Sequence, residues 1–533
     1  NDFTSSGLAA NDQVTDSPTN NQSTLNPLWA GAGLSDGSLV ATATGNSYQW
    51  AVSTFAVDDG GKHVCEFQKS SGTFGYIGLY QLGNHTATTG NNYGYFYNLG
   101  TGEIVKNGSL VTDLGTGAAN SLMRLEYDSA TDTLEFFDDG SSIHSATTGL
   151  SGHNSLHFGC APYASGTIIT ATFSPLSGTP TTDFKELTAA NLPDPTIADP
   201  SAHFQTTLYS GNSSTQEINQ SGNSTFTPGW VWIKPRNGTG YSHQLFDQVR
   251  GATKRMQSDA ASAEDTNATT LTSFDSDGFS LGSHVSVNET GKNMVAWQWK
   301  ANGSGSSNTD GSITSTVSAN PTAGFSIVKY TGNATVGATV GHGLGAVPKM
   351  FVVKPMDAVE GWAVYNASVG NTKGMYLNLT DLPYTGDYYW NNTTPTSSVF
   401  TLDDHVLNNG SGNNMIAYCF AEVEGFSKIS SFEGNSNADG TFVYTGFKPA
   451  FILTKNIDTT DQWGIRDSVR NPFNVTDKLL NPNASTAETT SSTGYIDILS
   501  NGFKARSSDS NINTQTIIYM AFAESPFKTA TAR

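Results

Sequence analysis

Apolar and polar positions alternate with a period of two along much of the first part of this chain. In Leu122-Met-Arg-Leu-Glu-Tyr127, Met123, Leu125 and Tyr127 fall on one face and Arg124 and Glu126 on the other, as in a strand between a core and water. The next apolar stretch, Leu134-Glu-Phe-Phe137, follows the turn-forming Asp128-Ser-Ala-Thr-Asp132 and stops at Asp138-Asp139-Gly140. The two stretches therefore predict a hairpin. Runs at 50–57, 63–67, 75–82 and 93–99, parted by Gly and Asp clusters, predict further strands.

Past residue 200 the same kind of pattern returns three times. Each unit opens alike, with Tyr209-Ser-Gly-Asn212, Tyr330-Thr-Gly-Asn333 and Phe432-Glu-Gly-Asn435. Each continues with a proline entering an apolar run that ends in lysine: 228–234, 348–354 and 449–455. Phe279, Phe400 and Phe503 mark a later strand, and the units close with apolar runs at 294–299, 415–420 and 517–522. The spacing is constant: Tyr209 to Tyr330 is 121 residues and Phe279 to Phe400 also 121, while Tyr330 to Phe432 is 102 and Phe400 to Phe503 is 103. Such register identifies an internal repeat. The longer first interval contains a Gly- and Ser-rich spacer, 301–324, with an extra strand expected at 312–317. A unit of about 100 residues can enclose its own core, so the expectation is three separate sandwich beads forming a stalk.

Between these regions, Asp183 as N-cap with Glu186 three residues on predicts a short helix to Ala190, and Pro193, Pro195 and Pro200 predict an extended connector. The expected organisation is a sandwich at 1–180, a linker at 181–202 with that helix, and repeats at 203–301, 302–426 and 427–533. The fold class is all-β.

Composition narrows function. Charged residues are only 14% of the chain, and acidic residues outnumber basic ones 46 to 26, so its field repels phosphate backbones and anionic lipid. Nucleic acid is excluded as an expected partner. No apolar stretch approaches the roughly 18 residues of a membrane helix, so membrane insertion is not expected. Cys65, Cys160 and Cys419 show no C-x-x-C spacing and read as buried thiols.

Little in the chain promises catalysis. Gly278-Phe-Ser-Leu-Gly282 and Gly33-Leu-Ser-Asp-Gly37 match a hydrolase serine pattern, but no helix is expected after either, and the other repeats lack the first serine. His153 and His157 have helical zinc spacing in a segment that reads as turn and strand, where the two would lie too far apart to share an ion. Asp275 and Asp277, like Asp138 and Asp139, read as turn residues before glycine rather than calcium ligands. No cofactor or metal is expected. The candidate binding residues are aromatic: Tyr388, Tyr389 and Trp390, in a polar insertion that the third repeat lacks, and Tyr93, Tyr95 and Tyr97, which share one strand face. The alternative for both groups is packing inside the protein.

The segment Gly61-Lys-His-Val-Cys-Glu-Phe67, then Gly75-Tyr-Ile-Gly78, the Asp-Asp-Gly hairpin and 168–175 together resemble the SPRY domain, a concanavalin-like sandwich. His63-Val64-Cys65 departs from the aromatic residues usual there. The resemblance implies recognition through loops at one end, without catalysis. The stretch 184–200, the Tyr-x-Gly-Asn openings, Val340-Gly-His-Gly-Leu-Gly345 and 16–27 are similar to a family of marine phage structural proteins that pair a SPRY-like domain with such repeats. That resemblance implies a virion-surface component, a tail fibre, spike or capsid-surface protein, which serves as scaffold and host-surface contact. Its expected partners are other virion proteins and a host glycan or protein, and by analogy it forms a homotrimer. The alternative is a secreted or cell-surface bacterial adhesin acting alone. A glycan-degrading enzyme would need an inward carboxylate pair about 5–9.5 Å apart, and no pair stands out.

Overall fold

The computed structural model describes residues 21–57, 60–72, 74–82, 93–118, 120–150, 155–386 and 389–529. The chain is all-β. Its N-terminal part is a sandwich of two sheets. One carries, among others, Lys62–Ser71, Leu122–Asp128 and Thr133–Asp138, and the other Leu156–Tyr163, Phe74–Gln81 and Gly94–Asn98. The 122–138 hairpin forms as read, with Leu134 opposite Tyr127. Met123, Leu125 and Phe136 from one sheet meet Ile77, Tyr95, Tyr97 and Phe158 from the other in the core. Cys65, Cys160 and Cys419 are buried free thiols.

Two local expectations change. Arg124 and Glu126 do not face water but lie beneath the segment 177–181, which caps their charge. Arg124 Nη1 donates to Thr179 O at 2.7 Å, the Thr181 amide donates to Glu126 at 2.8 Å, and the amides of Ser177 and Gly178 donate to Glu66. The helix expected after Asp183 is absent. Lys185–Glu186 instead runs parallel to His63 and Val64, followed by a 3-10 turn at Ala189–Asn191. Glu186 cannot complete a capping box because its carboxylate is held by the Ser174 hydroxyl at 2.5 Å and the Leu176 amide at 3.0 Å.

The three repeats share one topology. In the first, the main sheet runs Phe204–Ser210, Asn293–Trp299, Trp230–Pro235, Gln244–Asp247, Lys254–Gln257; the second follows the same order, and the third does so through its first four strands. A smaller sheet covers each: Gln216–Asn219 with Gly278–Leu281, Thr339–Gly341 with Val399–Thr401, and Phe442–Tyr444 with Gly502–Ala505. The spacer adds the hairpin Ser306–Asn308 and Ser315–Asn320 to the edge of the second main sheet, slightly beyond the expected strand.

The repeats are not beads. In the first, Val231, Ile233, Met294 and Ala296 fill a core beneath the small sheet, while Trp230, Trp232, Trp297 and Trp299 point the other way. In the second, Phe351, Val353 and Ala417 face the local core, and Met350, Val352, Tyr418 and Phe420 point outward from it. Those second faces meet one another and Phe451, Leu453, Met520 and Phe522 of the third repeat in one continuous core. All three pairs of repeats touch. Trp230 lies 4.5 Å from Tyr418, Phe420 lies 6.1 Å from Phe522, and Trp297 lies 5.8 Å from Phe451, ring centre to centre. The main sheets thus surround a common axis, and the continuous apolar runs are strands buried on both faces.

Polar contacts follow the same threefold scheme. Trp362 and Trp463 each precede the fourth strand of their sheet, and each indole donates to a carbonyl of the preceding repeat, Gln257 O at 2.8 Å and Tyr376 O at 3.0 Å. His243, at the same place in the first repeat, lies against the backbone of Asn481 in the third. Lys234, Lys354 and Lys455, which end the apolar runs, are all buried and donate to the carbonyls of Pro235, Pro355 and Asn456. Burial pulls each ammonium down to about 8.

The Tyr-x-Gly-Asn opening has a structural cause. A four-residue helix precedes each closing strand, and its last residue, Asn288, Asn409 or Asn513, is fully buried. That side chain accepts from the amide of Asn212, Asn333 or Asn435 at 2.9, 2.9 and 3.2 Å. It also donates to Gly282 O, Asp403 O or Ser507 O. The glycine permits this approach, since a Cβ on Gly332 would stand 2.4 Å from Gly410 O. Asn409→Ala is expected to lower the urea midpoint, at about 1–3 kcal/mol for each polar group left unmet. An unchanged midpoint would show that the clasp carries no stability.

Candidate functional site

The N-terminal sandwich is docked on the third repeat. Phe442 enters the aromatic cluster on the sandwich's outer face with Trp29, Trp50, Tyr80 and Phe96, while Tyr444 and Leu499 pack at its margin. Lys504 Nζ donates to Leu28 O at 2.8 Å, Asn501 Nδ2 to Thr54 O at 3.2 Å, and Lys528 Nζ to Leu192 O at 2.7 Å. The choice of repeat is set by outward positions on the small sheet. Strand register matches Phe442, Tyr444, Leu499 and Lys504 with Glu217, Asn219, Asp275 and Ser280 of the first repeat, a polar set. In the second repeat Thr339 and Gly341 stand at the first two of these places, and the spacer hairpin lies alongside them. Phe442→Glu, which installs the first repeat's residue, is expected to free the sandwich and enlarge the radius of gyration in small-angle scattering. An unchanged scattering curve would contradict that docking logic.

A cleft of about 350 Å³ opens where the sandwich, the proline connector and the third repeat meet. Its walls include Ser155, Pro193, Glu424, Tyr444, Phe527 and Lys528. Its charges are largely paired: Lys528 with Asp194 at 2.8 Å and Lys428 with Glu422 at 3.9 Å. Lys528 beside it holds the Asp194 carboxyl below the usual range. Behind Ser155 sits His157, fully buried, with Nδ1 donating to Ser53 O at 2.7 Å and its ring edge-on to Tyr444 at 5.0 Å. Burial pushes His157 down to about 4, and burial with nearby Lys234 pushes His243 well below 6.5.

These two histidines fix the sign of an acid response. Above pH 6.5 both are neutral folded or unfolded. As pH falls from 6.5 towards 4 the unfolded chain takes up their protons and the folded chain does not, so stability is lost. The melting temperature is expected to drop through that window, and His157→Asn to flatten part of the drop. A flat profile from pH 7.5 to 4.5 would refute this.

The aromatic candidates divide. Tyr388, like His153, lies outside the described residues. Tyr389 and Trp390 are 1% and 0% exposed and belong to the second repeat's local core, so they are not a binding surface. Trp390 lies 4.8 Å from Phe351, and its indole donates to Lys373 O. The reason lies in the small sheet, which has three strands in repeats one and three but two in repeat two. In the second repeat the insertion's rings pack into the local core beside that smaller sheet. Tyr95 and Tyr97 are likewise core residues, not a platform, whereas Tyr93 is 36% exposed at the strand's start. Ser280 lies on a strand and donates to Asp275, and Asp139 accepts from the Leu122 amide. Among the described residues no group of three or more His, Cys, Asp or Glu side chains converges to hold a metal, and no helix is long and apolar enough to cross a membrane. Sequence reading missed the cleft because its walls come from six separate segments.

Sandwich, connector and axial repeats together define an all-β protein with a cleft at its joint. The chain belongs to the family described as Domain of unknown function (DUF7483), whose profile matches residues 199–526, from the connector to the last strand of the third repeat. No curated protein sequence matches it. Solved structures to which it is similar include the SPRY domain of human HERC1, at 14% identity over 28% of this chain and 99% of that one, with a TM-score of 0.26. The TRIM65 PSpry domain is similar at 14% identity over 28% and 92%, with a TM-score of 0.24.

Proposed function

We propose that this chain is a non-catalytic structural protein of a virion surface, a tail fibre, spike or capsid-surface component that contacts other virion proteins and a host glycan or protein. The observation that carries the reading is the assembly of the repeats: the apolar faces of all three, with ion pairs between the first and third, are engaged in holding one axial body. The docked sandwich gives that body a second module beside the cleft, as scaffold and contact together require. The acidic surface keeps such a particle component away from phosphate backbones. The test is immunogold labelling of purified virus particles with antibody raised against the whole chain. Gold on the particle exterior is the expected result, and a chain found only in the non-sedimenting fraction would overturn it in favour of a free adhesin.

A further inference from the structure

The geometry points to the cleft between the sandwich, the connector and the third repeat as a binding site for a short neutral oligosaccharide. This rests on the surface-contact reading above and names the chemistry of the contact. The volume, about 350 Å³, is that of a small-ligand site, and joints between domains are where such sites collect. Its charged side chains are three carboxylates, Asp194, Glu422 and Glu424, against two ammonium groups, Lys428 and Lys528. Both ammonium groups already stand beside carboxylates, and Lys528 also holds Leu192 O. An anionic ligand would meet surplus negative charge and would have to break those pairs. A neutral sugar would not. Its hydroxyls can donate to the carboxylates of Asp194 and Glu424, which are exposed at the cleft. Its C–H faces can lie on the half-buried rings of Tyr444 and Phe527 and on Pro193 and Pro195. A ligand there touches both modules, so it also tightens the joint and raises the melting temperature by mass action.

The test uses the full chain on a printed array of neutral hexose and N-acetylhexosamine oligosaccharides beside sialylated and sulfated ones, followed by calorimetry on any neutral probe bound. Two variants are compared: Thr196→Trp, which places bulk in the cleft from an exposed connector position, and Glu424→Gln, which keeps the shape and removes a charge. Neutral probes are expected to bind, and both variants to bind at least tenfold more weakly with unchanged melting temperatures. The proposal is overturned if no neutral probe binds, if only sialylated or sulfated probes bind, or if both variants keep wild-type affinity. Immunogold decoration of particles together with unaltered variant binding would remove the cleft assignment and leave the surface role standing. Cleft-dependent sugar binding by a chain absent from particles would do the reverse.

Discussion

Trp230→Ala is expected to destabilise all three repeats together, by about 3–5 kcal/mol, the usual cost of truncating a buried indole. Trp230 belongs to the first repeat, yet its ring packs 4.5 Å from both Trp299 and Tyr418 and 5.9 Å from Phe325. Trp299 in turn reaches Phe451 at 5.6 Å and Phe522 at 5.7 Å in the third repeat. The cavity would therefore open on the common axis rather than inside one bead. Urea unfolding followed by circular dichroism should show the repeat transition moving as a whole. If only about a third of that amplitude moved, the shared core would be refuted.

The second large effect concerns charges sealed between repeats. Asp467 receives Arg470 Nε at 2.5 Å and the indole N–H of Trp297, from the first repeat, at 3.1 Å. Arg470 is fully buried and also binds Glu488 at 3.1 Å, which Arg236 of the first repeat holds through two further bonds. Burial works against the Glu488 charge, but these arginines keep its carboxyl below the ordinary range. The first repeat has the same device: Asp247 is paired with Arg250 and accepts from the Tyr418 hydroxyl of the second at 2.8 Å. In the second repeat the corresponding residues are Asn366 and Val369, and the ring position facing them, equivalent to Trp297 and Tyr418, is Met520. Where the neighbour offers no donor, the charge pair is gone as well.

Asp467→Ala takes from the buried Arg470 its nearer carboxylate, leaving Glu488 alone to balance it, and from the Trp297 indole its acceptor, and should cost about 3 kcal/mol. Carrying the second repeat's arrangement across, with Asp467→Asn, Arg470→Val and Trp297→Met combined, removes both charges of that pair, leaves Glu488 held by its two bonds from Arg236, and should restore a good part of the polar loss, though the smaller methionine leaves a packing deficit. Denaturant midpoints of the single and combined variants decide this. A combined variant no more stable than Asp467→Ala would mean the three positions are not a unit.

Much of the fold was legible in sequence, and particular residues show where legibility stopped. Alternation placed the 122–138 hairpin, and the landmarks at Tyr209, Pro228, Phe279 and Met294 placed the repeat strands in register. The runs Trp230-Val-Trp-Ile and Met350-Phe-Val-Val are apolar at every position, which signals burial on both faces. Nothing in them says that the second face meets another copy of the same unit, so separate beads were the simpler expectation. Arg124 and Glu126 read as solvent residues because the strap that covers them lies more than fifty positions away. Tyr389 and Trp390 fitted either surface contact or a packed loop because their insertion is polar, and it is the structure that places them in the core. The docking face could have been found by aligning the repeats, since Phe442 and Tyr444 stand where Glu217 and Asn219 do. The cleft could not, because Ser155, Glu424 and Phe527 share no periodicity or motif.

Native-state hydrogen exchange across Asn293–Trp299, Asn414–Phe420 and Thr514–Pro526, the closing strands of the three repeats, tests the common axis most directly. Amides in all three should open with one free energy and one dependence on denaturant. Three separate opening energies, each unaffected when a neighbouring repeat is destabilised, would show independent domains and contradict the shared interior.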